Sequence, residues 1–230
     1  MQNIAQNIEA LRVRVAEAAG AAGRRPEDIN IVAASKTNSA DRVREAVRAG
    51  ITDVGENRVQ ELIEKNTQDA YEGARLHFIG HLQKNKAHNV VGTAGLIQSA
   101  DSIELIKLIG SIAAKKGIVQ DILIEVNIGG ELSKSGIGKE KIPEVLDTCS
   151  ATGGVFVRGL MAIPPDIRVI GDNRRFFYEM YKLFVDITPN KYDNISMEIL
   201  SMGMTSDFEA AIAEGSNMIR IGSAIFGQRG

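Results

Sequence analysis

Eight short β-branched runs alternate with amphipathic stretches along this chain, and few folds accommodate such an order. The runs fall at about 30–34, 52–55, 75–79, 96–99, 121–126, 155–160, 195–200 and 218–221. Helical spacing of apolar residues marks the stretches between them, at about 40–49, 57–67, 84–91, 102–116, 139–150, 173–186 and 207–214. Short connections and regular βα alternation predict a parallel sheet covered by helices, and eight units are the number that closes a (β/α)8 barrel. A further helix is expected over residues 2–19, carrying Ile4, Ile8, Leu11 and Val15, and stopping near Gly20 or Gly23. Only Gly222–Gly230 follow the last run, so this N-terminal helix is expected to cover the wall that an eighth helix would otherwise fill. Residues 1–230 read as one barrel domain without a linker or low-complexity tract. An open doubly wound sheet is the alternative, but the first strand is not followed by the Gly-x-Gly-x-x-Gly turn of a dinucleotide site.

Bulk properties narrow the partners. A net charge of −2, from 27 basic and 29 acidic residues, provides no field to hold nucleic acid or an anionic membrane. Cys149 is the single cysteine, which rules out an intrachain disulfide and suits a reducing compartment. It follows Ile142, Val145 and Leu146 on one apolar helix face, where packing is the expected role. No signal peptide or membrane span is legible, so a cytoplasmic protein with a small-molecule ligand is expected.

Barrel chemistry gathers at the C-terminal ends of the strands. Those positions give Ser35-Lys36-Thr37, Gly55-Glu56-Asn57, Gly80-His81, Ser99 and Asp101, Asn127, Met161-Ala162, Ser201-Met202-Gly203 and Arg220-Ile221-Gly222-Ser223. Lys36 ends an apolar strand, where partial desolvation would make its amine a usable nucleophile toward an aldehyde. A lysine snorkelling to solvent is the plainer reading of the same pattern. The turns at 201–203 and 222–223 follow the seventh and eighth strands, where barrels commonly hold a phosphate, although Gly and Ser also dominate ordinary turns. Arg220 suits either a phosphate or a ring nitrogen, and equally a structural ion pair. His77, His81 and His88 fall on a strand, a loop and a helix, which argues against zinc. The loop Gly130–Lys139 fails the P-loop pattern, with Ser133 in place of the first glycine and Glu140 after the lysine.

Six ordered segments together closely resemble the pyridoxal phosphate homeostasis protein family (YggS/PROSC type). They are Val32–Thr37, Gly55–Glu61, His77–Lys86, Gly159–Pro164, Leu200–Met204 and Ile219–Gly227. The resemblance, which runs from about residue 30 onward, implies pyridoxal 5′-phosphate (PLP) held as an aldimine on Lys36, with Asn57 beside the ring. It implies that Ser201, Gly203, Gly222 and Ser223 hold the phosphate, that Met202 lies among the cofactor-binding residues and that Arg220 faces the pyridine nitrogen. Ser223 departs from the family's frequent threonine but keeps a hydroxyl. The implied fold is PLP fold type III, the barrel of alanine racemase and bacterial-type ornithine decarboxylases, without their C-terminal β domain. Members are regarded as PLP carriers or regulators of vitamin B6 and amino-acid balance rather than enzymes. The expectation is therefore a monomeric PLP-binding protein without catalytic residues or metal, with PLP-dependent apo-enzymes as candidate recipients. Two rivals stand beside it: a monomeric PLP-dependent racemase or lyase, and a colourless lysine Schiff-base aldolase on the same barrel.

Overall fold

In the computed structural model, which describes residues 3–131, 134–166, 171–188 and 192–227, eight parallel strands close into a barrel in sequence order. They are β1 (Asn30–Ala34), β2 (Asp53–Glu56), β3 (Arg75–Phe78), β4 (Leu96–Ala100), β5 (Gln120–Val126), β6 (Val155–Ala162), β7 (Ile195–Ser201) and β8 (Met218–Ile221). β1 and β8 complete the ring, with Val32 opposite Arg220. Closure leaves no unpaired sheet edge to template association with another chain.

The described helices are α1 (Ile4–Ala21), α2 (Ala40–Arg48), α3 (Val59–Asn66), α4 (Ala87–Val90), α5 (Ile103–Lys115), α6 (Ile142–Ser150), α7 (Arg174–Ile187), α8 (Phe208–Ala213) and α9 (Ser223–Phe226). Side chains of Asn3, Ser39 and Ser102 cap α1, α2 and α5 by accepting backbone N–H groups that have no intrahelical partner. α1 packs on α8 and α9, which are too short to close the wall alone, and so fills the expected gap. The helix expected over 84–91 is a 3-10 turn at Lys84–Lys86 followed by the single turn α4. Neither piece has a side-chain cap, and Gly92 at φ 81° ends the segment. The stretch expected as helix from 139 likewise opens with a 3-10 turn, and α6 begins only at Ile142, with Pro143 in its first turn. Residue 2 and, in the glycine-rich loop, Leu132 and Ser133 lie outside the described residues.

Most apolar burial lies between the strands' outer faces and the helices, while Val32, Leu96, Leu123, Met161 and Met218, with Ile199 against them, form a second cluster inside the barrel. Side chains alternate across a strand, so the next inward positions on β4, β5, β7 and β8 are Gln98, Glu125, Ser201 and Arg220. All four are buried. The barrel is thus apolar at mid-height and polar beneath its C-terminal mouth. Gly159 permits a close approach on this wall: at φ 148°, a Cβ there would lie 1.9 Å from the Ile199 carbonyl oxygen. Cys149 packs in the outer core, and burial pushes its thiol up to about 12, which makes it an unreactive packing residue. Among the described residues, no helix is long and apolar enough to cross a membrane.

Candidate functional site

The turn after β1 carries Lys36 and is fixed from behind by a buried ionic cluster. Glu56, at the end of β2, accepts the Ser35 hydroxyl, the Lys65 ammonium at 2.6 Å and the Tyr71 hydroxyl at 3.1 Å, all on Oε1. Lys65 also donates to the Ser35 carbonyl at 2.9 Å. Burial, reinforced by the Glu56 charge, pushes the Tyr71 phenol far upward, so it serves only as a neutral donor. On the other side of Lys36, the Thr37 N–H donates to Glu61 Oε2 at 2.7 Å. Thr37 sits at φ 64°, an outlying conformation for a β-branched residue. Half-buried Lys36 is thereby held between two anchored neighbours.

Asn57 follows Glu56 on the same rim. Gly80 makes room for it, since a Cβ on Gly80 would fall 2.1 Å from the Asn57 carbonyl oxygen. The Asn57 Oδ1 atom is buried and has no hydrogen-bond partner in the protein. Buried polar atoms are normally paired, so this oxygen marks a place for a ligand donor or a water.

Across the mouth lie the turns after β7 and β8. Gly203, at φ 95°, accepts from the Arg220 N–H at 3.0 Å, and its own N–H has no partner among the described residues. The N–H and hydroxyl of Ser223, at the start of α9, are similarly without protein partners among the described residues. Two other expected cofactor contacts already have protein partners. The Met202 N–H donates to the Met218 carbonyl at 3.1 Å, and the Met202 carbonyl accepts the Ser216 hydroxyl at 2.8 Å. Its backbone is committed to the barrel wall. Ser201 donates its only hydroxyl proton to Gln98 Oε1 at 2.7 Å and accepts from Arg220 Nη1 at 2.6 Å. It therefore forms part of the polar layer that holds Arg220.

Arg220 is 4% exposed and also donates from Nη2 to the Ala162 carbonyl at 2.9 Å. Burial pushes its guanidinium down to about 10, opposed by the charges of Glu125 and Asp207, so it remains a cation at neutral pH. The two halves of the site are tied together through Arg42. It donates to Asn38 Oδ1 at 3.0 Å, two residues from Lys36, and to the Phe226 carbonyl at the end of α9.

The family model for the alanine racemase N-terminal domain matches residues 2–230. The pyridoxal phosphate homeostasis protein of Aquifex aeolicus is 38% identical, with 99% of each chain covered. That of Pseudomonas aeruginosa is 36% identical over all of this chain and 97% of its own length. The chain belongs to the pyridoxal phosphate homeostasis protein family. Among solved structures, PipY of Synechococcus elongatus with PLP bound superposes at a TM-score of 0.83 with 30% identity, covering 97% of this chain and all of PipY. Alanine racemase of Clostridium difficile shares the fold at a TM-score of 0.74 and 15% identity, over 99% of this chain and 57% of the racemase.

Beyond the motifs that mark the family, the mouth contains an acid that the strand-end positions did not include. Glu125 is 6% exposed on the inward face of β5. Burial, together with the nearby charge of Asp101, pushes its carboxyl up to about 7, against the opposing pull of Arg220 and His81. His81 Nδ1 lies 2.8 Å from Asp101 Oδ2 and 3.3 Å from the Ser135 hydroxyl. Serine and aspartate meet the same ring nitrogen, so these three do not form a nucleophilic triad, which uses both nitrogens. The signal for Glu125 was present: an acid within the apolar run Ile122–Val126, the same contrast that singled out Lys36.

Proposed function

We propose that this protein binds PLP at the barrel mouth and serves cytoplasmic PLP homeostasis as a monomeric carrier without turnover. The observation that carries the reading is the pairing of an anchored strand-end lysine with a buried, always-charged arginine in the barrel of a PLP-homeostasis family.

The residues present fit the ligand. Lys36 would hold the aldehyde carbon through its amine, with loss of one water. The unpartnered N–H groups of Gly203 and Ser223, with the Ser223 hydroxyl, offer donors to a phosphate. Gly222 supports that placement. Its φ is −106°, and a Cβ there would meet Ala34 at an ordinary 3.5 Å, so protein packing does not require glycine. Close approach of a ligand to the backbone would. Asn57 Oδ1 offers an unused acceptor beside the ring. Arg220 would donate to the pyridine nitrogen and keep it unprotonated, because a cation disfavours a second positive charge at hydrogen-bond distance. Bound PLP supplies an aldehyde as cargo and, in enzymes, a ring that accepts electron density. An Arg220-held ring is a weaker acceptor than a protonated one, which favours the carrier reading.

The test is the visible spectrum of purified protein, followed by borohydride reduction and peptide mapping. Yellow protein with the reduced label on Lys36, lost in Lys36→Ala, is expected. Colourless protein that does not take up added PLP, or a label mainly on Lys84 or Lys134, overturns the assignment. Delivery to an apo-enzyme is tested by mixing loaded protein with PLP-free recipient and following the recipient's activity. Light scattering tests the monomer, and a dimer mass that persists on dilution excludes it.

A further inference from the structure

The interior polar layer forms one directed chain of side chains from the lower end of β2 to Arg220. Asp53 Oδ1 lies 2.9 Å from His77 Nε2, close but off-line for a well-formed hydrogen bond. His77 Nδ1 lies 2.8 Å from Gln98 Nε2. Gln98 Oε1 accepts from Ser201, and Ser201 accepts from Arg220. His77, Gln98 and Ser201 are fully buried, so water cannot substitute for a missing partner.

The proton positions follow from the Asp53 charge. Burial would raise the Asp53 carboxyl, but His77 and Thr52 outweigh it and hold the group below its usual value, so it is an anion. A bare Nε2 lone pair facing that anion at 2.9 Å would be repelled, so Nε2 carries the imidazole proton. In neutral imidazole Nδ1 is then an acceptor, and Gln98 must present its NH2 to it. The second N–H of that NH2 points to Met218 Sδ at 3.2 Å, which agrees with this orientation. Gln98 Oε1 is left facing Ser201, whose single proton must go there. The Ser201 lone pairs then face Arg220 Nη1. Reversing the amide would leave the Ser201 proton without its acceptor and set Gln98 Oε1 against the Nδ1 lone pair.

We propose that Gln98 is a positioning residue for Arg220, with its amide orientation set by an Nε2-protonated His77 held against Asp53. The proposal rests on Arg220 acting at the PLP ring, but the network itself is testable in protein free of PLP.

Two measurements on 15N-labelled, PLP-free protein decide it. The His77 ring should be protonated on Nε2 alone, and the Arg220 guanidinium should rotate slowly. In Gln98→Leu, or in Ser201→Ala should the first variant fail to fold, Arg220 rotation should accelerate and PLP affinity should fall roughly tenfold, the loss of one buried hydrogen bond. Wild-type His77 protonated on Nδ1 overturns the proposal, as does Arg220 rotation unchanged in a folded variant. If the NMR results hold but wild-type protein takes up no PLP, the network stands and the PLP reading fails instead.

Discussion

Lys65 Nζ lies 2.6 Å from Glu56 Oε1, and the pair is nearly sealed from water directly behind the Lys36 turn. Buried ion pairs are costly to break because the surviving charge keeps its desolvation penalty. Lys65→Met should therefore destabilise the protein by about 3–5 kcal/mol in urea unfolding. The double variant Glu56→Gln/Lys65→Met should regain much of that loss. A single-variant cost below about 1 kcal/mol, typical of exposed pairs, would show that the two charges are not coupled as described.

The two glycines of the proposed phosphate cradle should respond differently to alanine. At Gly203 the left-handed φ and an Ala211 Cβ only 2.6 Å from the new methyl should cost about 1–3 kcal/mol of stability. At Gly222 the methyl meets no protein atom closer than 3.5 Å, so the melting temperature should barely change. PLP binding should nevertheless weaken in Gly222→Ala, and also in Ser223→Ala, while pyridoxal without phosphate binds as before. Equal effects on both ligands would place the phosphate elsewhere.

Sequence pattern captures the barrel well because its signal is repeated eight times. Period-two strands and 3.6-period helices recur with the interior set every second residue. The helix expected over 84–91 is misjudged for a local reason: the apolar spacing is present, but capping is absent and a glycine follows. The site divides in the same way. Lys36, Asn57, Gly203, Arg220, Gly222 and Ser223 stand at strand ends where a motif can be read. What pattern cannot show is which donors the wall has already used, and the committed groups of Ser201 and Met202 are visible only once Gln98, Arg220, Ser216 and Met218 surround them. The Asp53–His77–Gln98 chain is likewise assembled from three strands and leaves no local trace.

Glu125 should leave its mark on the pH dependence of stability. Its folded carboxyl titrates near 7, against an ordinary value of 4.5, so between those pH values the folded chain holds a proton that the unfolded chain has released. The stability tied to this proton is fully present below pH 4.5 and is lost as pH rises through 7, on the order of 3 kcal/mol in all. Glu125→Gln cannot ionise, so in PLP-free protein it should match wild type near pH 4 and exceed it at pH 8. Parallel urea midpoints across that range would mean that the carboxyl is solvated and ionised normally.

Glu125 also sharpens the question of turnover, since the sequence alone offered only Lys36 as an acid or base. A racemase or lyase must remove the proton from the substrate Cα and spread the resulting charge into the ring, which is easiest when the pyridine nitrogen is protonated. Arg220, buried and still a cation at neutral pH, would oppose that protonation from the place proposed for it at the ring nitrogen. An acid titrating near 7 on β5, across the barrel from β1, is nonetheless suited to move a proton. The two effects pull in opposite directions, and the carrier reading takes the ring as the stronger constraint, because an unprotonated ring stabilises the charge less well. Deuterium incorporation from heavy water into L- and D-alanine should therefore be very slow in PLP-loaded wild type. Arg220→Glu, which permits ring protonation, should raise it, with looser PLP binding as a side effect. Exchange at ordinary enzyme rates in wild type, abolished by Lys36→Ala and reduced by Glu125→Gln, would make this protein an enzyme with acid–base groups on both walls and would end the carrier reading.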